Sequence, residues 1–247
     1  MAMYKVDGRM RKCFYPLESH PDVFNEVTHG LGVSPSLVWS DVLSIDEPEI
    51  LAMTPRPALA LVLVFPSTPT YQEQKREEDA AREAYTGCGA DEPVVWWKQT
   101  IYNACGLYGI LHAISNGPAR QYIQPDTVIA GLLEKAVPLK PEERALVLEG
   151  SPELEKIHTA AAMKGDTAPP AYEAAETLCH YTCFVTSSKT GNLYLLDGDR
   201  KGPIDLGVKL PEGEDMLSAP ALEAVRAYLQ REDNLNFNLL ALVKEEK

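Results

Sequence analysis

An α+β fold in a single domain is what this sequence predicts, on three observations. The apolar run "ALALVLVF" at 58–65 is bounded by prolines and has no helical period, which marks a central strand. Two further strand-like runs, "CHYTCFVTSS" and "GNLYLLDGD", lie either side of a turn around Lys189-Thr190. Helix and strand signals alternate irregularly along the 247 residues, without internal repeats or a composition break that would divide them.

Taken in order, "PDVFNEVTHGLG" (21–32) reads as a short helix stopped by glycine, and "EPEILAMT" (47–54) as another ending before Pro55. The central strand at 58–65 follows. "TYQEQKREEDAAREAYTG" (70–87) is polar and built of good helix formers, so an exposed helix is expected. "VVWWK" reads as a strand leading into the apolar helix of "QTIYNACGLYGILHAISN" (99–116). "DTVIAGLLEKAV" and "KPEERALVLEG" are helical, the second with Pro141 in its first turn. The stretch 151–177 has no sustained period and contains Pro169-Pro170, which predicts a long mobile loop, a kind usually tied to function or disorder. After the hairpin come a short strand, "GPIDLGV", a helix, "ALEAVRAYLQRE", and an apolar strand, "NFNLLALV".

Composition narrows the function classes. A formal net charge of −13 argues against nucleic-acid binding, which needs clustered Lys and Arg. The most apolar run falls far below the roughly 20 residues that span a bilayer, and the basic N-terminal stretch has no apolar segment behind it, so neither a membrane span nor a signal peptide is expected. Five cysteines without paired spacing do not read as a disulfide framework, which suggests a reducing intracellular compartment.

Cys105 stands at the mouth of the 99–116 helix. Leu107, Ile110, Leu111 and Ile114 form an apolar stripe that buries that helix, and Asn103 is a candidate N-cap, which places Cys105 in the first turn. Unsatisfied N–H groups and the helix dipole there favour a thiolate and predict a lowered thiol pKa. Gly106 and Gly109 would let another segment approach the same helix closely. A lone cysteine more often packs as a small hydrophobe, so its companions decide.

Of the five histidines, His112 lies about two helical turns from Cys105, too far to serve as its base. His20 and His29 belong to the first helix and His158 to the expected loop. His180 begins a strand, a rigid element able to hold a base. If the two hairpin strands pair about "SSKTGN", His180 faces Asp197 to within about one residue of register, and an aspartate there fixes the imidazole tautomer. An acid before glycine is otherwise an ordinary turn former. Gln99 could donate to a developing oxyanion beside the N–H of Cys105. Cys179, His180 and Cys183 offer a metal as a competing use, but no second cluster completes a tetrahedral set. No phosphate-binding or dinucleotide fingerprint is present.

"KQTIYNACGLYGILHAISN" closely resembles the active-site segment of the ubiquitin carboxyl-terminal hydrolases, thiol deubiquitinases of the papain-like clan. "YPLESHPDVFNE", "MTPRPALALVLVFP", "PEERALVLE" and "GNLYLLDGDRKGPIDLG" are similar to further segments of that family, so the resemblance covers almost the whole chain. It implies a papain-like core with an antiparallel central sheet flanked by helices and a knotted backbone. It also implies one short catalytic domain over 1–247, with 151–177 as an active-site crossover loop. By position, Cys105 would be the nucleophile, His180 the general base and acid, Asp197 its orienter and Gln99 the oxyanion donor. Tyr102, Leu107, Tyr108, Cys179 and Tyr181 depart from the family pattern near these positions. The activity implied is cleavage of small or flexible adducts from the C-terminal glycine of ubiquitin, without cofactor or metal, by a cytoplasmic or nuclear monomer with ubiquitin as partner. Two alternatives stand beside it: a ubiquitin-binding module with little turnover, or the same chemistry on a ubiquitin-like modifier such as NEDD8.

Overall fold

The computed structural model describes residues 3–6, 9–165, 179–231 and 236–245. Its strands are β1 (Met3–Val6), β2 (Arg9–Lys12), β3 (Leu37–Asp41), β4 (Ala58–Pro66), β5 (Cys179–Thr186), β6 (Asn192–Leu196), β7 (Ile204–Lys209) and β8 (Asn238–Lys244). β1 and β2 form a separate hairpin, and the other six make one sheet in the order β3-β8-β4-β5-β6-β7. Every pairing in it is antiparallel. The helices are α1 (Pro21–Leu31), α2 (Pro48–Leu51), α3 (Pro69–Ala80), α4 (Cys105–Ser115), α5 (Val128–Ala136), α6 (Pro141–Glu149), α7 (Pro152–Ala162) and α8 (Ala219–Leu229), with a 3-10 turn at Gly117–Tyr122.

The sheet is covered on both faces, which is why β4 is apolar at every position rather than alternating. Ala60, Val62 and Val64 of β4, with Tyr181, Cys183, Leu240 and Leu242, point into one core closed by α1, α4, α5, α6 and α7. Leu61, Leu63 and Phe65, with Phe184, Leu195 and Leu239, point into a second core closed by Tyr71 of α3 and by Leu222, Val225 and Tyr228 of α8. The expected central strand is therefore the middle of the molecule, and the predicted hairpin, third short strand and C-terminal strand all join its sheet. Among the described residues no helix is long and apolar enough to cross a membrane.

Several elements differ from the sequence reading. "VVWWK" is no strand. Its backbone is buried but bonded to side chains: the N–H of Val95 donates to Asn116 Oδ1 (2.7 Å), Asn116 Nδ2 donates to the carbonyl of Val95 (2.9 Å), and the N–H of Trp97 donates to His112 Nε2 (2.9 Å). The stretch 151–177 does not begin as a loop. Ser151 Oγ accepts the N–H of Leu154 (3.1 Å), Pro152 takes the first helical position, and Leu154, His158 and Ala161 bury one face of α7. Residues 166–177 of that stretch lie outside the described residues. The polar helix α3 stops at Ala80 instead of continuing to Gly87, because the chain beyond it turns to pair with the 201–203 segment, where the N–H of Tyr85 donates to the carbonyl of Lys201 (2.8 Å). β3 and the β1–β2 hairpin carry no clear sequence signal.

Two histidines are buried as neutral groups. Burial pushes His112 down to about 3, and His158, which donates Nε2–H to the carbonyl of Tyr15 (2.6 Å), down to about 4. Both folded values lie below the ordinary 6.5, so the unfolded chain binds protons that the folded one refuses. The stability they confer is complete above pH 6.5 and drains away as pH falls towards 4. Urea unfolding at a series of pH values should show a loss of roughly 1 kcal/mol per pH unit from each histidine between pH 6 and 4; a flat profile there would contradict their neutral burial.

Candidate active site

All eleven residues of α4 are buried, so it is a central helix and not an amphipathic surface one. Gly109 lets the sheet approach: a Cβ there would lie 3.2 Å from Val62 Cγ1. Cys105 is the first residue of α4. Asn103 is not its N-cap. It sits one residue too early in the left-handed region (φ 59°), with its Nδ2 directed to Cys13 Sγ at 3.7 Å, while Ala104 holds the cap position without a side-chain bond. Nor does the helix end lower the thiol. Burial outweighs the N–H groups of Gly106 and Cys105 itself and pushes Cys105 up to about 12, with Asp197 and Cys179 adding to the rise. The resting group is a neutral thiol, and its S–H points to the carbonyl oxygen of Cys179 at 4.0 Å.

His180, the second residue of β5, presents Nε2 to Asp197 Oδ2 at 2.8 Å, with both side chains nearly enclosed. The register that produces this contact is two residues from the expected one. β5 pairs Cys183 with Leu196 and Phe184 with Leu195, so Asp197 stands diagonal to His180 and not opposite it. A shift of two keeps both on one face of the sheet, whereas a shift of one would have separated them. With Nε2 turned to Asp197, Nδ1 is the ring nitrogen left to exchange a proton in the cleft.

Asp197 is more heavily bonded than sequence could indicate. The Tyr71 hydroxyl donates to Oδ2 (3.1 Å), the N–H of Asp199 to Oδ1 (2.9 Å), and the indole of Trp96 to the backbone carbonyl (2.9 Å), while Arg200 Nε lies 3.8 Å from Oδ2. Burial alone would raise this carboxyl, but the charge and hydrogen bond of His180, then Lys75 and the N–H of Asp199, hold it well below the ordinary range. Asp197 therefore stays ionised beside the imidazole at neutral and mildly acidic pH. Tyr71, Trp96 and Arg200 carried no period or spacing that would single them out.

Gln99 is tied to the same corner. Its N–H donates to the carbonyl of Gly198 (2.7 Å), and its side-chain Nε2 donates to the carbonyl of Ile101 (3.3 Å). Gly198 must be glycine, because a Cβ would meet Gln99 Cβ and the Trp97 carbonyl oxygen, each at 2.9 Å. The four residues predicted from sequence thus converge: Gln99, Cys105 and His180 line one cleft of about 230 Å³, with Arg11, Cys179 and Asp199 on its walls and Asp197 behind His180. The competing metal set does not converge, since strand alternation sends Cys183 into the core on the α4 side and His180 to the other face. Among the described residues no group of three or more His, Cys, Asp or Glu could hold a metal ion. The remaining histidines serve structure: His112 and His158 as above, His29 on the carbonyl of Leu37 (2.8 Å) and His20 as the N-cap of α1. The bulky Tyr108 and Tyr181 fill core space, the latter donating to the carbonyl of Leu17 (2.9 Å).

Residues 14–230 match the family described as "Ubiquitin carboxyl-terminal hydrolase, family 1". The chain is 35% identical to ubiquitin carboxyl-terminal hydrolase 3 of Arabidopsis thaliana over 235 residues, covering 94% of this chain and 95% of that one. It is 32% identical to a ubiquitin carboxyl-terminal hydrolase of Drosophila melanogaster, over 94% and 98% of the two chains. In fold it is similar to the catalytic domain of Trichinella spiralis UCH37, solved with ubiquitin vinyl methyl ester, with a TM-score of 0.70 and 20% identity over 94% of this chain and 96% of that one.

Gly198→Ala should force residues 97–99 away from Asp197 and lower stability by about 1–3 kcal/mol, read as a fall in the melting temperature; an unchanged melt would contradict the close approach. Iodoacetamide should label Cys105 of the free protein slowly at pH 7 and progressively faster above pH 9, and a rate already at its plateau at pH 7 would contradict the neutral resting thiol.

Proposed function

The chain belongs to the ubiquitin carboxyl-terminal hydrolases of family 1, and from that premise we propose that it is a thiol-dependent deubiquitinating hydrolase that releases small or flexible adducts from the C-terminal glycine of ubiquitin through an acyl-enzyme on Cys105. The observation that carries this reading is the 2.8 Å contact of Asp197 with His180, which lines the same cleft as a cysteine at the start of a buried helix.

Each role follows from position and charge. The Cys105 thiol is neutral at rest, so His180 takes its proton through Nδ1 as sulfur attacks the carbonyl of the scissile bond. Asp197, kept ionised, fixes the tautomer and stabilises the imidazolium that results. Gln99 exchanges its bond to the Ile101 carbonyl for the developing oxyanion, beside the N–H of Cys105. His180 then protonates the leaving group and, in the second half-reaction, activates water against the thioester. A formal net charge of −13 suits encounter with the basic tail of ubiquitin. The domain reading is part of the proposal: residues 1–247 act as one catalytic unit.

The contact of the resting thiol with the Cys179 carbonyl favours keeping the ubiquitin-binding module as a second reading, in which the site stays unassembled. Ubiquitin vinyl methyl ester separates the two. A single adduct mapped to Cys105 supports the hydrolase; binding without an adduct supports the module. Parallel turnover assays on ubiquitin and NEDD8 conjugates test the choice of modifier.

Cys105→Ala should abolish turnover while ubiquitin binding persists, and comparable turnover in that variant would overturn the nucleophile. Asp197→Asn should lower kcat by roughly 10²–10⁴ with a much smaller change in KM; a rate within a fewfold of wild type would remove Asp197 from the mechanism.

A further inference from the structure

The cleft holds a second thiol that the hydrolytic reaction does not use. Cys179 opens β5, is exposed, and lines the same cleft as Cys105. Strand alternation fixes which way it points. His180 faces the α3 and α8 side, against Phe65 and Tyr71, so Cys179 and Tyr181 face the α4 side. Tyr181 lies against the first turn of α4, its Cε1 3.6 Å from where a Cβ on Gly106 would stand. Cys179 is two residues earlier on that face, and Cys105 immediately precedes Gly106. The Cys105 S–H already points to the Cys179 carbonyl at 4.0 Å. β5 therefore brings two groups to the cleft of Cys105 from opposite faces of the sheet, an imidazole from one and a thiol from the other.

We propose that Cys179 is a modification site whose thiol captures Cys105 in a reversible disulfide when the protein meets a peroxide. The inference rests on the hydrolase reading only for its effect on activity. The exposed Cys179 thiol is oxidised by two electrons to a sulfenic acid as hydrogen peroxide is reduced to water. Cys105 sulfur then attacks the Cys179 sulfur, the S–O bond breaks, and the hydroxide that leaves takes the Cys105 proton as a second water. Two thiols and one hydrogen peroxide give one disulfide and two waters. The bond occupies the nucleophile, and a thiol reductant restores it. The other cysteines do not compete: Cys13 and Cys183 are buried, and Cys88 lines no part of the cleft.

The test treats the full chain with hydrogen peroxide, blocks free thiols under denaturing conditions and maps unreduced peptides by mass. The expected result is the loss of two hydrogen atoms with a linked pair of peptides containing Cys105 and Cys179. Hydrolysis of a ubiquitin conjugate, normalised to each protein's own untreated rate, should be lost and then mostly recovered with dithiothreitol. In Cys179→Ser the link cannot form, and because Cys105 is a buried neutral thiol its treated rate should stay within about twofold of the untreated one at a peroxide dose that silences the wild type. Absence of the linked pair in the wild type, or a link from Cys105 to another cysteine, would overturn the proposal. So would an equal loss of rate in Cys179→Ser. The peptide map needs no ubiquitin, so a failed disulfide and a failed hydrolase reading give different results.

Discussion

The burial of one carboxylate organises this molecule. Asp197 is removed from water, and an ion in that position is stable only if its lone pairs are filled. Its fillers come from separate parts of the chain: His180 from β5, Tyr71 from α3, and the N–H of Asp199 from its own turn. The backbone carbonyl adds Trp96. Satisfying this one group fixes how the hairpin, the polar helix and the irregular 94–99 segment meet. The candidate base is thereby held in one tautomer and one orientation before any substrate arrives.

A second buried ion pair supports the irregular segment from behind. Arg144, fully enclosed in α6, binds Glu92 (2.5 Å), the Trp96 carbonyl (2.9 Å) and the Ala136 carbonyl at the end of α5 (3.1 Å). Residues 92–99 have no strand ladder to satisfy their backbone, so side chains supply it: Arg144 at Trp96, His112 at Trp97 and Asn116 at Val95. His112 and Asn116 lie on α4 and just beyond its end. The helix that carries Cys105 thus also positions the segment that carries Gln99, and the two cannot move independently without leaving buried polar groups unpaired.

The cleft is assembled across the sheet. Cys105 belongs to the core on the α4 side, whereas His180 is packed by Phe65 and Tyr71 of the other core. Burial keeps the thiol protonated at rest, and the Gln99 amide is occupied by Ile101. The thiol is therefore uncharged and the Gln99 amide engaged at rest, and the proposed mechanism needs the base and the electrophile to release them. In that mechanism, protonation state and hydrogen-bond exchange separate the resting site from a working one.

Much of this was legible in the sequence. The apolar, proline-bounded run marked a central strand, the stripe from Leu107 to Ile114 marked a buried helix face, and the symmetry of the hairpin put His180 and Asp197 on one face, though two residues from the true register. Those features are local periodicities, and local periodicity reports which faces are buried. The lowered thiol, the N-cap at Asn103, the strand at "VVWWK" and the loop at 151–162 were not correct, each for a tertiary reason. Desolvation by the surrounding core outweighs the helix end at Cys105, side chains from α4 replace a ladder at Val95 and Trp97, and packing on α1 folds an alanine-rich stretch as α7. Tyr71, Trp96 and Arg200 around the carboxylate have no period at all. Sequence determined which residues could perform the chemistry and which faces of each element are apolar; the tertiary structure alone decided their protonation, their partners and the register that joins them, because burial and hydrogen bonding over long sequence separations leave no pattern along the chain.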